Sequence, residues 1–216
     1  MGLFLGIDLG TSYFKAGLFD EEGRLKGLSR KPVCKDTGNG DKCELSIQVF
    51  WDILNDCLSE AMQAAKITPG EIRAISYSSQ ANSFVLLDGS DQPLTPLILW
   101  PDKRATGTDL PRWITKNELL YKTGLGTDLN YEFAVAKVKW FQHEQPETWE
   151  RVNKILSISD YLTCSLTGEK FSDTSTSSLS GLLDVTNGQW LDKSLESFRL
   201  NPEYLPVPSR TGSYVG

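Results

Sequence analysis

Ten residues near the amino terminus, Gly6-Ile7-Asp8-Leu9-Gly10-Thr11-Ser12-Tyr13-Phe14-Lys15, bring together the groups that phosphate chemistry needs. Asp8 stands at the end of an apolar run, residues 2–9 (GLFLGIDL), which reads as a strand buried within a sheet. Gly10 opens a tight turn whose backbone N–H groups can cradle phosphate oxygens, and Thr11 and Ser12 add hydroxyl donors. Lys15 lies three residues after Ser12 on the returning strand, within reach of the same turn. A carboxylate so placed can hold Mg²⁺ directly or through water, because hard cations take oxygen ligands beside the phosphates they bridge. Asp8, Gly10, Thr11, Ser12 and Lys15 are therefore the candidate phosphate-binding set, with Asp8 the candidate metal ligand. The competing reading is a plain β-hairpin with a polar turn. The buried strand before the turn and the lysine after it favour phosphate.

These residues need a sheet to hold them, and the flanking pattern supplies one. Residues 13–19 (YFKAGLF) and 24–33 (RLKGLSRKPV) read as two further strands, closed by a turn at Asp20-Glu21-Glu22-Gly23. Residues 34–43 are polar and rich in Gly and Asp, and read as a loop. From Ile47 to Ala65 the spacing turns helical: Ile47, Phe50, Trp51, Leu54, Leu58, Ala61, Met62 and Ala65 share one face, until Thr68-Pro69-Gly70 ends the run. Residues 72–78 and 83–88 read as strands on either side of a turn at 79–82, and an extended segment from Pro93 leads into Ile98-Leu99-Trp100.

Beyond Trp100, helices are expected at about 117–123 and at 134–144, where Val135, Val138, Trp140 and Phe141 form an apolar stripe. A strand at 153–158 precedes a short helix at 159–166, with Asp160 near its start, where a carboxylate is favourable in any helix. A Ser/Thr run at 172–180, a last helix from Asp192 to Phe198 and an extended tail at 201–211 complete the chain. No internal repeat or long linker divides it. Strands first, then a helix, then a strand pair, imply an α/β domain with a mixed sheet covered by helices.

Composition narrows the partners. The 216 residues carry a net charge of −6 with no basic run, which argues against nucleic acid. No run of some 18 apolar residues is present, so no membrane helix is expected. The first ten residues lack a basic segment and are interrupted by Asp8, which argues against a secretory signal. Four cysteines without a C-x-x-C pair, and the single histidine His143, make a zinc site improbable. Reduced thiols in a cytoplasmic protein are expected, Cys34 and Cys43 being the one pair worth checking for a disulfide.

The stretch Gly6–Lys15 resembles the first phosphate motif of the actin, heat-shock ATPase and sugar-kinase superfamily. Within it, the whole chain resembles the FGGY carbohydrate kinases, the group of xylulokinase, gluconokinase and glycerol kinase. The resemblance rests on several stretches in order: 72–88 (IRAISYSSQANSFVLLD), 93–104 (PLTPLILWPDKR), 123–140 (TGLGTDLNYEFAVAKVKW), 158–174 (ISDYLTCSLTGEKFSDT), 183–190 (LDVTNGQW) and 205–216. It implies a ribonuclease H-like, actin-like ATPase fold with a mixed five-stranded sheet flanked by helices and family-specific insertions. It further implies that residues 1–216 are the N-terminal, sugar-binding domain. The adenosine pocket, the second phosphate motif and the catalytic Asp would then lie in a C-terminal half, and this chain alone would be inactive.

The same resemblance implies ATP and Mg²⁺ as cofactors and transfer of the ATP γ-phosphoryl group to a sugar or polyol hydroxyl. The sugar contacts it implies are Gln80, Ala81 and Asn82 in the turn, Trp100 as a stacking platform, Asp102 after it, and an aromatic from Tyr131 or Phe133. Ala81 stands where relatives carry a bulkier residue, which leaves the sugar unnamed. A surface salt bridge is an equal reading for Asp102 with Arg104, and Lys137 reads as structural. A homodimer is left open. The alternatives are an actin- or chaperone-like ATPase, which would lack a sugar pocket, and a sugar sensor that kept the pocket without the base.

Overall fold

β1 (Leu3–Leu9) alternates cleanly, with Leu3, Leu5, Ile7 and Leu9 buried on one side and Phe4, Gly6 and Asp8 on the other. It pairs antiparallel with β2 (Tyr13–Phe19), which pairs antiparallel with β3 (Leu25–Pro32). The long helix α1 (Ile47–Ala65) starts on the Ser46 side chain, which accepts the Val49 N–H, and ends at Lys66 in left-handed conformation. Its buried residues are Phe50, Leu54, Cys57 and Ala61, and Phe50 meets Phe14 of β2 edge-on at 5.6 Å. Burying each such phenyl ring stabilises the fold by about 2–3 kcal/mol. Gly27 of β3 permits the close approach of this helix, because a Cβ there would stand 2.2 Å from the Ala61 carbonyl oxygen. β5 (Ile72–Ser79) then returns parallel to β1, giving a mixed sheet of order β3-β2-β1-β5.

The computed structural model describes residues 2–38, 40–112 and 117–216. It divides the chain into two units, Met1–Lys35 with Leu45–Gln80, and Asp36–Glu44 with Ala81–Gly216. The first unit is the sheet and helix just described. Among the described residues that sheet has four strands rather than the five expected. The next strand, β6 (Phe84–Leu87), is buried at every residue and needs hydrogen-bonding neighbours on both edges. It finds them in the second unit, between β7 (Leu97–Ile98) and β8 (Lys154–Ser157), both antiparallel to it. With the two-residue strand β4 (Glu44–Leu45) the order of this second sheet is β4-β7-β6-β8.

Helices α2 (Asn117–Thr123), α3 (Ala134–Glu144), the single turn α4 (Pro146–Trp149) and α5 (Ile158–Thr167) complete much of the second unit. Its apolar core includes Phe84, Ile98, Val135, Val138 and Phe141. The Ser/Thr run folds where Asp173 caps it, as β9 (Phe171–Asp173) and α6 (Thr174–Ser178), with Asp173 accepting the Ser175 and Thr176 N–H groups. A small hairpin, β10 (Leu183–Asp184) and β11 (Gln189–Trp190), precedes α7 (Asp192–Phe198). The tail holds β12 (Val207–Ser209), parallel to β9. None of Cys34, Cys43, Cys57 and Cys164 is in a disulfide. No helix among the described residues is long and apolar enough to cross a membrane.

Asp160 closes a capping box at the start of α5: Ser157 Oγ accepts its N–H, and its carboxylate accepts the Ser157 N–H at 3.0 Å. Burial pushes its pKa up to about 6, against hydrogen bonds from Ser157 and Ser172 that pull it down. The folded value exceeds the ordinary 3.8. The stabilisation from proton uptake is therefore complete below about pH 4 and lost as pH rises through about 6. Between those limits the native protein loses roughly 2–3 kcal/mol that an Asp160→Asn variant does not lose. Denaturant midpoints of the two proteins at about pH 4 and about pH 7.5 measure the difference. Parallel pH profiles would show that Asp160 stays ionised throughout.

Candidate functional site

In the first unit, the strand register lines up one polar row on the face opposite α1. Ser78 of β5 lies beside Asp8 of β1, Asp8 beside Lys15 of β2, and Lys15 beside Arg30 of β3. Lys15 Nζ donates to Asp8 Oδ2 at 2.8 Å and Ser78 Oγ donates to Asp8 Oδ1 at 3.4 Å. The Arg30 guanidinium stacks 3.4 Å from the centre of the Tyr13 ring. Asp8 keeps 39% of its side-chain surface exposed and Lys15 46%. An ion pair so wet is worth at most about 1 kcal/mol, so both groups can exchange partners when a ligand arrives. Ser78 and Arg30 escape a motif reading. Only the hairpin register, seven residues of β2 against β3, places Arg30 beside Lys15.

The turn after β1 has the space the chemistry needs. A Cβ at Gly10 would stand 2.8 Å from the Tyr13 carbonyl oxygen and within 4 Å of both Asp8 oxygens, filling the ground above the carboxylate. Ser12 is exposed. Thr11 Oγ1 donates to Gln80 Oε1 at 3.2 Å, and the Gln80 N–H donates to the Leu9 carbonyl. Thr11 and Gln80 therefore meet within this unit, although one was expected at the phosphate and the other at the sugar. Among the described residues no three acidic, His or Cys side chains gather to cage a metal. Asp8 as a single protein ligand suits Mg²⁺, which keeps several waters and binds phosphate oxygens. Asp8 and the Gly10 cradle fit that ion.

In the second unit, the remaining candidates converge on the first turn of α3. Asn82 takes a left-handed backbone (φ 58°). Its Oδ1 accepts the Ala134 N–H at 3.0 Å and its Nδ2 donates to the Leu179 carbonyl at 3.1 Å. It thereby serves the helix start that its N-cap residue, Phe133, leaves without a side-chain cap. Ala81 is half-buried beside it. The Trp100 N–H donates to Ser83 Oγ at 2.9 Å, while the residue remains 36% exposed, as a stacking platform requires.

Two expectations are corrected. Asp102 is 0% exposed: its carboxylate accepts the Cys43 N–H at 2.6 Å and both the Nε and Nη2 of Arg104. Arg104 in turn pairs with Glu44 and lies over the Trp140 and Phe141 rings. Burial alone would raise the Asp102 pKa, but Arg104 and the Cys43 amide hold it below the usual carboxylate value. Asp102 is a buried ion-pair partner and not a sugar contact. Phe133 is also withdrawn, because its ring packs in the apolar core, which leaves the half-buried Tyr131 as the aromatic of that loop.

Lys137, fully buried on α3, donates to the Trp100 carbonyl at 3.0 Å and to the Glu132 carbonyl at 2.8 Å. Burial pulls its pKa down to about 8, opposed by the Asp102 charge.

Comparison with known proteins gives these two sites a family. Residues 3–216 match the sequence profile of the FGGY family of carbohydrate kinases, N-terminal domain. Xylulose kinase of Lactococcus lactis subsp. lactis (strain IL1403) is 32% identical over 226 residues, covering 98% of this chain and 43% of that protein. The crystal structure of gluconate kinase from Lactobacillus acidophilus superposes with a TM-score of 0.84 at 25% identity, over 96% of this chain and 42% of that one. That of ligand-bound xylulose kinase from Lactobacillus acidophilus, 24% identical, shares the fold with a TM-score of 0.87, over 100% of this chain and 44% of that one. The chain thus spans less than half the length of these relatives. With the Asp8–Gly10 cradle, the mixed sheet and a match running from residue 3 to residue 216, the chain belongs to the FGGY family of carbohydrate kinases.

Proposed function

We propose that the protein carrying this chain transfers the γ-phosphoryl group of ATP to a hydroxyl of a sugar or polyol in the cytoplasm. Residues 1–216 are its N-terminal, sugar-binding domain, and the catalytic base lies in a separate C-terminal half. The observation that carries this reading is the open carboxylate of Asp8 above the Gly10 turn, paired among the described residues with the wet ammonium of Lys15 and the Ser78 hydroxyl. Mg²⁺ there would neutralise charge on the transferring phosphoryl group.

The residues of this chain bind and orient. Asp8 holds the metal-bound phosphates, with the Gly10–Ser12 turn and Lys15 beside it. The Trp100 face carries the C–H side of the sugar while Tyr131 closes on it, and Asn82 shapes the turn that reads its hydroxyls.

The test is a screen of the full-length protein with Mg²⁺-ATP against D-xylulose, L-ribulose, D-gluconate and glycerol, following sugar phosphate and ADP together. One acceptor should support stoichiometric phosphate transfer, EDTA should stop it, and residues 1–216 alone should show none. ATP hydrolysis indifferent to every acceptor would instead identify an actin-like ATPase. Acceptor binding without ATP turnover would identify a sensor.

A further inference from the structure

Among the described residues, the buried Lys137 Nζ donates its hydrogen bonds to two backbone carbonyls and not to a carboxylate. Those carbonyls belong to different segments. One is that of Trp100, which follows β7; the other is that of Glu132, next to Tyr131 in the loop before α3. Lys137 itself stands on the fourth residue of α3, whose first N–H is held by Asn82. A lysine needs up to about 2 kcal/mol of side-chain ordering to sit this way, and its charge resists burial. The Asp102 carboxylate, with a smaller contribution from that of Glu132, offsets part of the second cost, while the Arg104 guanidinium adds to it. A core that only needed filling would use a methionine here, at no such cost.

We propose that Lys137 is a positioning residue of the sugar site, one ammonium that sets the spacing between the Trp100 platform and the Tyr131 loop. The inference rests on the sugar-kinase reading. A carbonyl brace of this kind makes no contact with sugar. It acts by holding the two walls apart at a fixed distance before substrate arrives, so its loss is felt in sugar binding rather than in the phosphoryl transfer step.

The experiment uses the full-length protein as wild type, Lys137→Met and Lys137→Arg, with the best acceptor of the screen above as probe. Lys137→Met should raise the acceptor KM by about tenfold or more, with the KM for ATP unchanged and kcat within about threefold. Lys137→Arg, which keeps a charge and donors, should restore part of the acceptor KM. An equal loss of ATP and acceptor affinity, or an unchanged acceptor KM in a folded Lys137→Met protein, overturns the proposal. Hydrogen exchange without any ligand supplies the independent readout. In Lys137→Met, or in Lys137→Arg if the first does not fold, the Trp100 amide and the amides of the 130–134 segment should exchange about tenfold faster or more, ahead of the rest of the core. A uniform rise across the second unit would mean that Lys137 is a general core residue. If the wild type phosphorylates no acceptor, the kinase reading has failed. The exchange pattern still shows whether the brace exists.

Discussion

In the full-length protein, Asp8→Ala lowers kcat for sugar phosphorylation by about 10³ or more while the dissociation constant of the sugar stays within about threefold. The split follows from where the residue stands. Asp8 lies at the end of β1, with Lys15 and Ser78 on its oxygens, and every candidate sugar wall retained here other than Gln80 belongs to the other unit of the chain. On the proposed function, removing the carboxylate would take the metal-bound phosphates out of register, which would cost transition-state binding and leave the sugar contacts alone. The fold should hardly notice. The Asp8–Lys15 pair is exposed on both sides, so its loss changes stability by no more than about 1 kcal/mol. Steady-state kinetics, equilibrium binding of the sugar by calorimetry and a thermal melt separate these effects. A variant that keeps its kcat, or one that loses sugar affinity in step with it, would remove Asp8 from the metal position.

Asp102→Ala has the opposite signature: a loss of about 3–5 kcal/mol in unfolding free energy, a large part of the 5–15 kcal/mol that holds a typical domain together. Asp102 accepts the Cys43 N–H, pairs with Arg104 through two nitrogens and lowers the cost of burying Lys137. Its removal leaves a guanidinium and an ammonium underneutralised in the core, with Glu44 still paired to Arg104. Part of the loss is pH-dependent, with a sign set by Lys137. Its folded pKa of about 8 lies below the ordinary 10.5, so the buried charge is fully present at pH 7 and discharges as pH rises through about 8. The difference between wild type and Asp102→Ala should therefore shrink by about 1 kcal/mol between pH 7 and pH 9. Denaturant titrations at the two pH values test this. A folded Asp102→Ala protein of normal stability that binds sugar weakly would restore Asp102 to the substrate pocket.

Local chemistry made a good part of this molecule legible. The three-four spacing between Ile47 and Ala65 and the break at Thr68-Pro69-Gly70 specify α1, Ala134–Glu144 falls where its apolar stripe puts it, and the last helix falls at Asp192–Phe198 as expected. Each of these signals is complete within one element, so nothing distant needs to be known. The same holds for the phosphate cradle, since Asp8, Gly10 and Lys15 lie within eight residues and a two-strand register joins them. The tiny hairpin at 183–190 and the capped turn at Thr174–Ser178 stayed hidden, being too short for any periodicity to register.

By itself, then, the chain's order of residues determined its longer helices, its first three strands and the carboxylate-and-glycine cradle. The tertiary structure alone decided which of the candidate side chains stay exposed and which are engaged within the fold. Asp102 is answered by an amide 59 residues earlier and Asn82 by a carbonyl 97 residues later, while Lys137 bridges two loops. A side chain's burial depends on what the folded chain brings against it from far away. No spacing within a motif records that, so a pocket carboxylate and a buried ion-pair carboxylate are written with the same letter.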